Sequence, residues 1–120
     1  MSEESHMPRS AEDPKWSEPG LLVLSSLADG PKHGLAILAD LRDTSESPLG
    51  PGTLYGVIAR LESRGLIERL EAEDARRRPY QLTSRGIEIL SEQLTSMERF
   101  TARSSERIRR LAPNLAWGFA

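Results

Sequence analysis

The sequence predicts a mainly α-helical fold with one small β-hairpin, a winged helix-turn-helix followed by a long helix, and three observations predict it. Between Gly50-Pro51 and Gly65, Leu54, Val57, Ile58 and Leu61 recur at helical spacing. Proline suits a first helical position, where an N–H has no partner inside the helix, and glycine suits the residue just past the end. Directly after it, two short apolar runs, Leu66–Leu70 and Pro79–Thr83, flank the charged segment EAEDARRR, which is the outline of a hairpin. Third, Ile87, Leu90, Leu94, Met97, Thr101, Ser104, Ile108 and Leu111 follow one another at alternating spacings of three and four. That is an a/d seam with two polar interruptions on one long helix. In such a fold the middle helix enters a DNA major groove and the hairpin flanks it.

In chain order, residues 1–15 are rich in Ser, Glu and Pro and lack any apolar period, so they are expected to be a flexible segment. A first helix is expected from Glu18 to Ala28, with Ser17 as its cap, Pro19 in its first turn and Asp29-Gly30-Pro31 at its end. Its Leu21, Leu22, Leu24 and Leu27 face a core. A second helix runs from about Gly34 to Asp43 with Leu35, Leu38 and Leu41 inward and Ile37 partly buried. The connection from Thr44 to Gly50 is longer than in the tightest helix-turn-helix units and fits a winged variant. The hairpin follows, and Thr83 or Ser84 caps the long helix that Pro113 ends. The expected domains are a flexible segment at 1–15, a winged DNA-binding domain at 16–83, a dimerisation helix at 84–112 and a tail at 113–120.

Composition removes several function classes. The 120 residues contain no cysteine, so disulfide scaffolding and thiolate chemistry are excluded. His6 and His33 stand far apart without cysteine company, so no metal site is expected. No apolar run has the length to cross a bilayer and the start of the chain is polar and acidic, so a soluble cytoplasmic protein is expected. Neither a Ser/His/Asp set, nor paired carboxylates in an apolar frame, nor a phosphate-cradling glycine loop is present; no enzyme and no cofactor are expected. The net charge of −2 conceals a division. Residues 1–18 carry five acidic against two basic side chains, leaving 13 acidic and 14 basic in the remainder. Local clusters rather than the total set the field at a phosphate, and Arg76-Arg77-Arg78 is such a cluster.

The candidate contacts to double-stranded DNA follow. With the apolar stripe of the third helix inward, Gly52, Thr53, Gly56, Arg60, Ser63 and Arg64 face out, with Tyr55 at the border. Small residues let the backbone come close to a groove, Thr53 suits a thymine methyl or a phosphate, and Arg60 suits a guanine edge or a phosphate. The plainer reading is a solvated helix face. Arg76, Arg77, Arg78 and Tyr80 suit a wing that straddles the backbone or enters a narrow minor groove, and the plainer reading is a solvated tip neutralised by Glu71, Glu73 and Asp74. Tyr55 either donates its hydroxyl to a phosphate or packs between helix and wing. His33 is expected to cap or pack the second helix. A lone helix with an apolar edge needs a partner, so Leu90, Leu94, Met97, Phe100, Ile108 and Leu111 are expected to join two copies as a homodimer. Trp16, Met97 and Trp117 are candidates for a pocket between subunits holding a small aromatic ligand.

Taken together, Leu21–Leu27, Lys32-His33-Gly34-Leu35, Pro51-Gly52-Thr53-Leu54-Tyr55 with Leu61 to Ile67, and Arg78-Pro79-Tyr80-Gln81-Leu82-Thr83 with Gly86 make the chain resemble the PadR family of bacterial transcriptional regulators. The likeness covers residues 17–112. It implies a winged helix-turn-helix, a C-terminal dimerisation helix, and two-fold binding to a palindromic operator, usually as a repressor. By position, Thr53, Leu54 and Tyr55 match the start of the family's recognition helix, and Arg76–Arg78 with Tyr80 its wing. Some members bind flat aromatic ligands between subunits through a tryptophan on the long helix; here the tryptophan follows Pro113. The reading is a homodimeric, sequence-specific DNA-binding repressor released by a small effector. Its rival is a winged-helix protein-interaction module that does not bind DNA.

Overall fold

The computed structural model describes residues 18–44 and 49–114. Helix α1 spans Glu18–Leu27, α2 Gly34–Thr44 and α3 Pro51–Ser63; strands β1 (Ile67–Arg69) and β2 (Tyr80–Leu82) form the hairpin, and α4 spans Ser84–Leu111. Expected features at Ser17, Trp16, Trp117 and residues 1–15 lie outside the described residues.

The chain resolves into two units, residues 1–90 and 91–120. The first holds a single apolar core, with Val23 and Leu24 from α1, Ile37, Leu38 and Leu41 from α2, and Leu54, Val57, Ile58 and Leu61 from α3. Leu66 and Ile67 close it from the hairpin side, and Ile89 and Leu90 come from the first turns of α4. At about 25 cal/mol per Å² of apolar surface removed from water, side chains of this size each contribute about 1.5–3 kcal/mol to holding the elements together. A polar clasp reinforces the α1–α2 packing: the buried Ser26 hydroxyl donates to Asp40 Oδ2 at 2.6 Å.

The α3-to-wing junction is fixed by one glycine. Gly65 sits at φ 76, in the left-handed region that other residues enter only with strain. This lets Gly65 N donate to Glu62 O and Leu66 N to Leu61 O, both at 3.0 Å, the paired bonds of a Schellman end. Leu61 and Leu66 are both buried there, so the chain turns from helix into strand without exposing the core. The strands pair antiparallel with Ile67 opposite Leu82, Glu68 opposite Gln81 and Arg69 opposite Tyr80. Lys32, in the α1–α2 connection, adds a one-residue third strand: it exchanges both backbone bonds with Tyr80, at 3.1 and 2.8 Å.

Thr83 then starts α4. Its Oγ1 accepts from Gly86 N at 3.0 Å as an N-cap and donates to Gly65 O at 2.6 Å, tying the new helix to the end of α3. Gly86 lies flush on the junction, because a Cβ there would stand 2.0 Å from the Leu66 carbonyl oxygen.

Two expectations are corrected. Leu35 is 62% exposed rather than inward, and Ile37 is fully buried. The inward face of α2 is Gly34, Ile37, Leu38 and Leu41, about 110° from Leu35 at 100° per residue. The seam on α4 is not one continuous face: Leu90 lies in the core of the first unit with Ile89, so it is already covered and not available to a second copy. The hairpin tip holds a 3-10 turn over Ala75–Arg77 capped by Asp74. In the second unit, Leu94, Met97, Phe100 and Leu111 remain 50%, 51%, 65% and 80% exposed along α4.

Candidate nucleic-acid interface

Helix α3 turns its apolar stripe entirely into the core, with Leu54, Val57, Ile58 and Leu61 buried. What remains outside is Gly52, Thr53, Gly56, Arg60, Ser63 and Arg64, each exposed as expected from the sequence. A Cβ at Gly52 or at Gly56 would meet nothing within 4 Å, so this face is a shallow, open surface. At its amino end Gly50 is extended, Pro51 occupies the first position and no side chain caps the helix. The leading N–H groups at Gly52 and Thr53 therefore point outward where the helix dipole favours an anion. Among the described residues, the Arg60 guanidinium makes no ion pair with a carboxylate.

Tyr55 is held by α2. A Cβ on Gly34 would stand 2.5 Å from the Tyr55 hydroxyl oxygen and 2.6 and 2.8 Å from ring carbons, so the ring lies directly on the Gly34 backbone. Tyr55 nevertheless keeps 43% of its surface exposed. It packs against the start of α2 rather than between helix and wing. The adjacent His33 fulfils its structural expectation: its Nδ1 accepts from Ala36 N at 3.3 Å and its carbonyl from Ala36 N and Ile37 N, both at 3.0 Å, capping α2. The Tyr55 ring and the His33 cap meet at the same helix start, which fixes how α3 is oriented on α2.

The three wing arginines differ in freedom. Arg78 donates through Nε to the Leu70 carbonyl at 3.2 Å and reaches Glu71 at 3.1 Å, and only 29% of its side chain is exposed. It fastens the tip to the end of β1. Arg77 stands 4.0 Å from Asp74 with 70% of its side chain exposed, a loose surface pair. Arg76 uses its backbone N–H to bond Asp74, and its guanidinium has no ion-pair partner among the described residues. Of the cluster, then, Arg76 and Arg77 project charge and Arg78 holds the tip in place.

Arg69 was not singled out by sequence reasoning. It pairs with Glu62 of α3 at 3.2 Å, and its guanidinium lies 5.6 Å from the centre of the Tyr80 ring, so helix and wing are joined through one cation. The Glu62 hydrogen bond, with the charges of Tyr80 and Glu62, raises the Arg69 pKa further above its ordinary value, so the cation is permanent. Its signal in the sequence was thin, since an arginine on the solvent side of a short strand reads as ordinary. Lys32 was missed for a similar reason: one residue of strand has no period. Its ammonium bonds the Ser26 carbonyl and lies 3.7 Å from Asp29, so it is committed to the α1 end. Among the described residues there is no group of three side chains able to hold a metal ion, and no helix long and apolar enough to cross a membrane. Trp16 and Trp117, two of the three effector-pocket candidates, lie outside the described residues.

The model for the transcriptional regulator PadR-like family matches residues 23–92. Among solved structures, the chain resembles a PadR family transcription regulator from Clostridium difficile at 28% identity and a TM-score of 0.62, over 73% of this chain and 94% of that one. A transcriptional regulator from Clostridium thermocellum is similar at 25% identity and a TM-score of 0.64, over 88% and 96%. In sequence, the chain is 49% identical over 86 residues to an uncharacterized 37.1 kDa protein in transposon TN4556 of Streptomyces fradiae, matching 72% of this chain. The chain spans about a quarter of that relative's length.

Proposed function

The chain belongs to the PadR-like family of transcriptional regulators, and we propose that it is a homodimeric, sequence-specific DNA-binding repressor acting on a palindromic operator. One observation carries this reading: the open face of α3 bearing Arg60 is joined through Glu62 and Arg69 to a wing whose Arg76 and Arg77 project outward. A helix with such a face presents small residues and one long cation to a major groove, while the wing meets the adjacent backbone. In a dimer, two copies of α3 occupy successive major grooves about 34–36 Å apart. Thr53, Gly52 and the uncapped helix start meet phosphate or a thymine methyl, Arg60 a base edge, and Arg64, Arg76 and Arg77 the backbone; Tyr80 supports the wing from below.

The test is a mobility shift with the DNA adjoining the protein's own gene, titrated at two salt concentrations. A DNA binder forms a discrete complex that weakens steeply as salt rises, because phosphate contacts release counterions. A winged-helix module that meets only proteins, the reading favoured by the net charge of −2, forms none. If Arg60 reads a base, Arg60→Ala costs about 1–3 kcal/mol on the operator and little on unrelated DNA. Equal loss on both would make Arg60 a backbone contact. Release by a small aromatic ligand is the remaining part of the proposal, and its readout is quenching of Trp16 or Trp117 fluorescence together with loss of the shifted band.

A further inference from the structure

We propose that the carboxyl half of α4 carries a second DNA-binding surface, a row of arginines that meets the phosphate backbone of a duplex without reading its sequence. The row is Arg99, Arg103, Arg107 and Arg110, spaced by four, four and three residues. At about 100° per residue these positions fall within an arc of about 80°, and at about 1.5 Å of rise they span about 16 Å along the helix. All four are exposed. The covered side of the same stretch lies elsewhere: Ser105 is buried, and Ser104 and Ile108 are partly so. That side is about 150° around the helix from the row, so the arginines stand on the outward side of α4. They are distinct from the residues of α3 and the wing, and contact through them would add affinity for DNA of any sequence.

What sets the row apart is that nothing in the chain neutralises it. Arg69, Arg77, Arg78 and Arg85 each stand within ion-pair distance of an acid, and Arg109 has Glu106 at 3.6 Å. None of the four row arginines has an ion-pair or hydrogen-bond partner for its side chain among the described residues. A solvated helix face usually alternates its charges, as the amino half of α4 does where Arg85 meets Glu88 at 3.2 Å. Arginines at i and i+4 instead repel one another, so the row destabilises the helix until an anion covers it. The helix dipole does not account for it either. That attraction fades beyond the last turn, and Arg99 and Arg103 lie more than one turn before Leu111. A guanidinium fork holds a phosphate through two parallel hydrogen bonds. One cation on nearly every turn suits a backbone whose charge repeats regularly, about once per 3.4 Å of axis on each strand. The chain belongs to a family of transcriptional regulators, which favours duplex DNA over an acidic protein as the occupant. The net charge of −2 does not oppose this, because the local cluster sets the field at a phosphate.

The test uses Arg99→Gln, Arg103→Gln, Arg107→Gln and Arg110→Gln, made singly and together, since glutamine keeps the helix propensity and removes the charge. Binding to a duplex of unrelated sequence is titrated by fluorescence anisotropy across a series of salt concentrations, and circular dichroism follows thermal unfolding. In the quadruple variant the plot of log K against log salt is expected to become shallower by about 0.9 for each arginine that meets a phosphate, up to about 3.6 per chain. Its melting temperature should equal or exceed that of the unaltered protein, because like charges have been removed. Should the quadruple change disturb folding, the single variants decide: each lowers the slope by up to about 0.9 at unchanged stability if the row meets phosphate. Slopes equal to that of the unaltered protein overturn the inference and leave binding through α3 and the wing intact. Lower melting with unchanged DNA binding assigns the arginines to the stability of α4 and overturns it equally. Variants that lose binding to polyglutamate while keeping it to DNA identify an acidic protein as the occupant, with the same consequence. An unaltered protein that forms no complex with any duplex at low salt removes the DNA-binding reading of α3 and the wing together with this one.

Discussion

Single residues do unlike work here even where the sequence makes them look alike. Gly86 and Gly56 are both helical glycines with opposite surroundings. At Gly86 a Cβ would collide with the Leu66 carbonyl, a backbone atom that cannot step aside, whereas at Gly56 it would meet nothing. Gly86→Ala is expected to lower stability by about 3 kcal/mol. Gly56→Ala should raise it by about 0.5–1 kcal/mol, since alanine is the better helix former, while weakening DNA binding by holding α3 out of the groove. Urea denaturation and a DNA titration on each variant separate the two outcomes; equal stability changes would mean the packing at Gly86 is not as close as described. The wing arginines divide likewise. Arg76→Ala should weaken binding on all sequences and reduce the salt slope by about one, with stability unchanged. Arg78→Ala, which removes the link to Leu70 and Glu71, should cost up to about 1 kcal/mol of stability by denaturation. Its effect on DNA should follow from a displaced tip rather than a lost phosphate contact, leaving the salt slope unchanged.

At the scale of elements, the joints matter more than the elements. Strand β2 runs into helix α4 at Thr83, which caps α4 and also bonds the Gly65 carbonyl at the end of α3. Removing that hydroxyl leaves an uncapped helix and one unsatisfied carbonyl. Thr83→Ala is expected to cost about 1–2 kcal/mol, and Thr83→Ser, which keeps the oxygen, a fraction of that. Thermal unfolding of the two variants is the check: identical losses would assign the effect to the methyl group instead. The Tyr55–Gly34 contact and the Glu62–Arg69 pair similarly fasten α3 to α2 and to the wing. In the proposed DNA complex, a helix α3 held from both sides meets DNA without ordering itself first, so less binding energy is lost on contact.

For the molecule as a whole, the proposed dimer makes a geometric prediction. In that proposal the two copies of α3 are one turn of the duplex apart, so an insertion of about five base pairs between operator half-sites turns the second half-site to the opposite face. Mobility shifts should then fall to the level of unrelated DNA, and an insertion of a full turn, about ten base pairs, should affect binding less only if the dimer can stretch. Tight binding that ignores the half-turn insertion would mean that each copy acts alone.

Much of this was legible from the order of residues. The α3 stripe, its Gly65 end and the hairpin follow from local physics: helical periodicity, a left-handed glycine, and charge between two apolar runs act over a few residues and leave a pattern. The outward face of α3 followed in turn, since fixing the inward stripe fixes its opposite. Leu35 and Leu90 were misassigned because a stripe of three-and-four spacings can be drawn through more than one face, and only packing decides which is used. In α2 the contact of Gly34 with Tyr55 sets the rotation; in α4 the core claims Ile89 and Leu90 before any partner can. The unequal roles of Arg76 and Arg78, the single strand residue Lys32 and the bridge from Arg69 to Glu62 depend on groups brought together from distant positions. Periodicity carries no information about such meetings, because they are decided by the direction in which each backbone leaves its turn.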